Sequence, residues 1–82
     1  MKNMYFVYVL KSEKDGNLYI GCTSDIGHRL SEHNAGKVLS TKSRLPLKLV
    51  YSERFEDGYG AFFTERFYKT AKGKRELLRK LK

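Results

Sequence analysis

The run Met4-Tyr5-Phe6-Val7-Tyr8-Val9-Leu10 is apolar or aromatic at every position. A strand with one face in water alternates polar and apolar residues, so a short run without alternation predicts a strand covered on both sides, central or nearly central in its sheet. A chain of 82 residues has room for one small core, and residues 1–82 are read as a single domain. The same run is far short of the roughly 18 residues needed to span a membrane. Nothing at the N-terminus has the charged, apolar and small-residue order of a signal peptide, so the expected location is cytoplasmic, with no membrane partner. Cys22 is the single cysteine, which excludes an internal disulfide, and no Cys/His spacing around it suits structural zinc. The six Tyr and five Phe argue against a disordered chain.

The rest of the chain supplies partners for that strand. Asp15-Gly16 is a turn dipeptide, and Leu18 to Cys22 resumes the apolar run, so the two runs predict a hairpin. Leu47 to Phe55 reads as a third strand opened by Pro46, with Leu47, Leu49 and Tyr51 expected on one half-buried face. Ser24 or Asp25 is the expected N-cap of a helix over Ile26 to Asn34, stopped by Gly36. Tyr59 to Thr70 has helical spacing, and Gly73 is expected to separate it from a basic helix over Lys74 to Lys82. The order β-β-α-β-α-α does not alternate regularly, which predicts an α+β fold with a three-stranded antiparallel sheet flanked by helices.

Charge narrows the partners. Seventeen Lys and Arg against nine Asp and Glu leave a net charge of +8, a field that attracts polyanions, nucleic acid first among them and an anionic membrane surface as the rival.

Candidate chemistry follows from which side chains share a face. In an antiparallel hairpin with an even loop, Tyr8 and Tyr19 project from the same face. A turn centred on Asp15-Gly16 leaves them about 13 Å apart, whereas a turn one residue earlier makes them diagonal neighbours at roughly 7 to 8 Å. On the first helix Arg29, His33, Ile26 and Leu30 fall in one stripe, with His28 turned outward. Arg29 there either snorkels into an ion pair or offers its fork to a phosphate, and His33 is either a locally satisfied buried ring or a catalytic group. On the next helix Glu65 shares a stripe with Ala61 and Tyr68 while Phe63 and Phe67 lie opposite, so the helix is expected to pack on more than one side. Glu65 is then either a partner for Arg29 or Arg66, or a ligand for a hard divalent cation.

Phe6-Val7-Tyr8, Tyr19-Ile20-Gly21, Arg29 within Thr-Ser-Asp-Ile-Gly-His-Arg-Leu, His33-Asn34-Ala35-Gly36 and Glu65 within Ala-Phe-Phe-Thr-Glu together resemble the GIY-YIG nuclease family over nearly the whole chain. The compact length and the Glu-His-Asn-Ala-Gly-Lys stretch resemble its small stand-alone bacterial members. Phe6 and Val7 stand where Gly and Ile give the family its name, Cys22 where some members carry lysine, and no Asn follows Glu65. The resemblance implies metal-dependent hydrolysis of a phosphodiester, with Tyr8 and Tyr19 as the half-motif tyrosines, Arg29 as the catalytic arginine and Glu65 as the metal ligand. His33 matches a histidine near the site in the small members.

On that basis Mg²⁺ or Mn²⁺ is the expected cofactor, held by Glu65, with Arg29 on the phosphate and Tyr8, Tyr19 or His33 activating water. Nucleic acid is the expected partner, with DNA favoured over RNA. Lys37, Lys42, Arg44, Lys69 and Lys72, with Lys74 and Arg75, are candidate backbone contacts. The rival readings are a catalytically silent nucleic-acid-binding module, in which the tyrosines stack on bases, and a basic adaptor whose last helix docks on a partner protein.

Overall fold

The computed structural model describes residues 4–82. Its elements are β1 (Tyr5–Ser12), β2 (Leu18–Thr23), α1 (Ile26–Asn34), β3 (Leu47–Phe55), α2 (Gly58–Tyr68) and α3 (Ala71–Lys80). The three strands form one antiparallel sheet in the order β2-β1-β3. The all-apolar strand is therefore the central one, and both of its faces are covered. Val7 and Val9 point to a cluster with Ile20, Ala61, Tyr68 and Leu77, so α2 and α3 lie on that side. Tyr8 and Leu10 point to the other, where Ile26 and Leu30 of α1, Leu45 of the loop that follows it and Leu47 at the start of β3 pack against them.

Side-chain caps set the helix starts. Asp25, Asp57 and Thr70 each accept a hydrogen bond from the backbone N–H three residues on, an arrangement worth about 1 kcal/mol per helix. At the end of α1, Gly36 takes φ +76°, while its N–H bonds to His33 O and the Lys37 N–H to Glu32 O. That pair of bonds ends the helix with glycine in the left-handed region, as its position after Asn34 predicts.

Hairpin geometry decides between the two registers left open by the sequence. Tyr8 faces Gly21 and Lys11 faces Leu18, so the turn is centred one residue before Asp15-Gly16. It winds on Ser12, whose Oγ accepts from the N–H groups of Lys14 and Asp15. This register puts Tyr19 diagonal to Tyr8 on the same face.

Three expectations are corrected. A bulge against β1 between Val9 and Leu10 makes Val9 face Tyr51 and Leu10 face Leu49, with Val50 unopposed. The extra residue flips the strand's faces, so Leu47 packs with Tyr8 and Leu10 while Val50, Tyr51 and Phe55 pack on the opposite side, and Leu49 is exposed.

Gly73 does not separate the last two helices. The break falls at Lys69 and Thr70, and Gly73 lies in the first turn of α3 with its backbone against the Phe67 carbonyl, which any Cβ there would overlap. Its lack of a side chain serves close helix approach.

Finally, α2 packs on one side only. Ala61 and Tyr68 are buried, whereas Tyr59, Phe62, Phe63 and Phe67 are exposed, Phe63 by 67%. Both α2 and α3 share one face of a three-stranded sheet, which leaves no further element among the described residues to cover the outer side of α2.

Candidate active site

β1, β2 and α1 bring three rings together on the Tyr8 face of the sheet. The Tyr8 and Tyr19 centroids are 6.3 Å apart, and the His33 ring stands edge-on to both, at 5.9 Å and 4.9 Å. Tyr8 can lie as it does because its direct partner is Gly21: a Cβ there would be 2.5 Å from Tyr8 Cζ. The glycine opposite the tyrosine is thus the space that the phenol occupies.

His33 is fully buried, and both ring nitrogens are engaged. Nε2 lies 3.1 Å from the Tyr8 hydroxyl oxygen and Nδ1 lies 2.8 Å from Thr41 Oγ1. Burial, then the Arg29 charge, push its pKa below the ordinary 6.5, against the weaker pull of Glu32, so the ring is neutral at pH 7.

Arg29, one turn earlier on α1, is ion-paired with Glu32 at 3.1 Å. Its guanidinium is also close enough to Tyr8 to favour the ionised phenol. Even so, burial holds the Tyr8 pKa above 10, with Tyr19 and Glu65 adding to the rise and Arg29 opposing it. Without a substrate the protein alone therefore moves this phenol away from ionisation. Outward on the same helix, His28 is exposed and pairs with Glu32 at 3.6 Å.

Glu65 approaches from α2, across the sheet. Its carboxylate acts electrostatically on Tyr8 and also on Cys22, whose thiol is raised first by burial and then by that charge. The Glu65 side chain is only 17% exposed and is ion-paired to Lys69 at 2.8 Å, not to Arg29 or Arg66. Among the described residues no three His, Cys, Asp or Glu side chains cluster as a ready-made cation cage. A lone carboxylate suits a hard divalent ion that takes the rest of its shell from phosphate oxygens and water.

The basic candidates separate by position. Lys69 and Lys74 line a groove of about 430 Å³ together with Leu18, Tyr19 and Thr70. Lys37, Lys42, Lys72 and Arg75 are exposed. Arg44 is held by Asp15 of the hairpin turn at 3.3 Å, a link between that turn and the loop before β3.

Two contributors had little or no signal in the sequence. Thr41 lies between Ser40 and Ser43 in a loop without periodicity, and only the fold places it under His33. Glu32, at i+3 from Arg29, carries a helix-spacing signal for the ion pair it makes.

A family model described as the GIY-YIG catalytic domain matches residues 4–79. A UPF0213 protein of Streptococcus agalactiae is 45% identical over 65 residues, spanning 78% of this chain and 73% of that one. A UPF0213 protein of Streptococcus pneumoniae is 40% identical over 73 residues, spanning 88% and 73% respectively. The solution NMR structure of a UPF0213 protein from Bacillus halodurans matches with a TM-score of 0.58 at 33% identity, covering 96% of this chain and 85% of that one.

Proposed function

Since the chain belongs to the GIY-YIG catalytic-domain family, a family of nucleases, we propose that it is a divalent-metal-dependent endonuclease that hydrolyses phosphodiester bonds of DNA at the Tyr8, Tyr19, Arg29, His33 and Glu65 cluster. The observation that carries this reading is the Tyr8 oxygen, which stands 3.1 Å from His33 Nε2 while Arg29 and Glu65 both act on it. An acid-base pair lies beside a phosphate-binding guanidinium, and the hard oxygen ligand of Glu65 is near enough for its charge to act on the same phenol.

The roles follow from the chemistry of each group. Arg29 grips the scissile phosphate and offsets the negative charge that grows on it. A phenol kept above its ordinary pKa is a poor base by itself, whereas neutral His33 is ready to receive a proton. As the water oxygen bonds to phosphorus, its proton passes to Tyr8, and the Tyr8 proton passes to His33 Nε2. The bond from phosphorus to the 3′ oxygen then breaks, and that oxygen takes a proton from solvent. Both side chains are buried, and His33, bonded to the Tyr8 oxygen, acts through the phenol. Tyr19, half-exposed beside the groove, flanks the water. Mg²⁺ or Mn²⁺ held by Glu65 supplies Lewis-acid stabilisation of the phosphate and of the leaving oxygen when bound. Lys69, paired with Glu65 at 2.8 Å, would have to give up that pair for Glu65 to hold the ion.

The Lys69 pair also favours a second reading, a module that binds nucleic acid without cutting it and in which Glu65 is only an ion-pair partner. Plasmid nicking with Mg²⁺ or Mn²⁺ separates the two. The nuclease nicks, and both Glu65→Ala and Arg29→Ala abolish the activity. Equal cleavage by all three proteins identifies a contaminant, and binding that ignores metal with no cleavage identifies the silent module.

A further inference from the structure

Behind the Tyr8 and His33 pair lies a polar chain that ends inside the protein. Thr41 is fully buried, like His33. Its Oγ1 is 2.8 Å from His33 Nδ1 and 3.5 Å from the Val38 carbonyl oxygen. A hydroxyl has one proton, and a carbonyl oxygen only accepts. With the Thr41 proton directed to Val38, the hydroxyl oxygen accepts from Nδ1, which must then carry hydrogen.

The other end gives the same direction. Arg29 has donors and no acceptor, so the phenol's own proton cannot go to it, and the acceptor within reach of the Tyr8 hydroxyl is Nε2. In the opposite tautomer Nε2–H and the Tyr8 hydroxyl would compete for one gap, and the phenol would lose its acceptor.

We propose that Thr41 is a positioning residue for this reaction: its hydroxyl holds neutral His33 in the Nδ1–H tautomer and so keeps Nε2 bare to receive the Tyr8 proton. The proposal rests on the nuclease reading of the site. After transfer, the imidazolium keeps its Nδ1–H bond to Thr41, and the Val38 carbonyl completes the path, so the new charge has oriented dipoles behind it. The ionisable groups around the ring are Tyr8 from β1, Tyr19 from β2, and Arg29 and Glu32 from α1.

Two readouts test it on the intact chain. Ring ¹⁵N NMR of His33 at pH 7 reports the tautomer without any nucleic acid or metal, and single-turnover cleavage of an oligonucleotide with Mn²⁺ reports the chemistry. Wild type and Thr41→Ser are expected to show Nδ1–H and similar rates. Thr41→Val, which keeps the shape and loses the hydroxyl, is expected to lose that tautomer and to cleave about 10- to 100-fold more slowly with KM unchanged. Wild type in the Nε2–H form overturns the proposal, as does Thr41→Val with unchanged ring signals or a wild-type rate. A wild type that cleaves nothing overturns the nuclease reading, and with it the positioning role, while the ring signals still show whether the tautomer lock exists.

Discussion

Gly21 and Tyr8 face each other across the β1–β2 ladder, and the tyrosine ring fills the space that a side chain on the glycine would need. The ring is also tied at its far end to His33 Nε2, 3.1 Å away, so it has no free direction in which to yield. Replacement of Gly21 by alanine is therefore expected to displace the phenol before it unfolds the domain. The cleavage rate should fall about 100-fold, as for a misplacement near 1 Å, against a stability loss of about 1 to 3 kcal/mol. Urea unfolding alongside single-turnover kinetics checks the pair of effects, and a wild-type rate contradicts it.

His33 gives the domain a pH dependence of definite sign. Its folded pKa lies below the ordinary 6.5 because of burial and Arg29, so between those two values the unfolded chain binds more protons than the folded one. Stability should thus be complete above about pH 6.5 and decline as pH falls through the folded value, with no further loss from this group below it. Urea unfolding from pH 7.5 to 4.5 is expected to show this decline, and His33→Gln should flatten it. Equal slopes for the two proteins would remove His33 as its source.

The outer aromatic face of α2 should be inert toward stability. Phe63 is 67% exposed, and Phe63→Ser is expected to cost no more than about 0.5 kcal/mol. A buried phenylalanine would lose 3 to 5 kcal/mol on truncation to alanine. A thermal or urea melt distinguishes these values, and a loss of several kcal/mol would show that the face is covered.

Lys69 and Lys74 line the groove beside Tyr19. If the nucleic-acid backbone runs through it, Lys69→Gln with Lys74→Gln should lower the slope of log affinity against log salt by roughly 2, near one unit per lost phosphate contact. Fluorescence anisotropy with a labelled duplex measures the slope. An unchanged slope would place the backbone elsewhere.

Local signals carried much of this architecture. The unbroken apolarity of Met4 to Leu10 marked the central strand, since only a strand covered on both sides has that pattern, and Asp25 and Gly36 bracketed α1 because capping chemistry is local. Arg29 and His33 shared a legible stripe for the same reason. Other features depended on contacts far apart in sequence. The bulge at Val50 is set by pairing with β1, and no periodicity within Leu47 to Phe55 marks it. Gly73 read as a helix stop because glycine signals a break locally, while its real constraint is the Phe67 carbonyl of the neighbouring helix. The opposed stripes of α2 predict packing on more than one side, but helical spacing does not reveal how many elements are available to cover those stripes. The distance between Tyr8 and Tyr19 turned on a one-residue shift of the hairpin turn, which Ser12 settles by accepting from the N–H groups of Lys14 and Asp15.

The central claim is that groups from β1, α1 and α2 work on one phosphate. Single-turnover cleavage with saturating Mn²⁺ by Tyr8→Phe, Arg29→Ala, Glu65→Gln and the Arg29/Glu65 double variant tests it most directly, with each fold checked by amide NMR spectra. Glu65 and Arg29 each pair with a neighbour on or just past their own helix, at i+4 and i+3, so their variants should remain folded. The account predicts a loss of at least 100-fold for each single variant and a double variant far less impaired than the product of the two single losses, as for residues that act as a unit. Folded variants that cleave at the wild-type rate, or Arg29 and Glu65 losses that simply multiply, would contradict it.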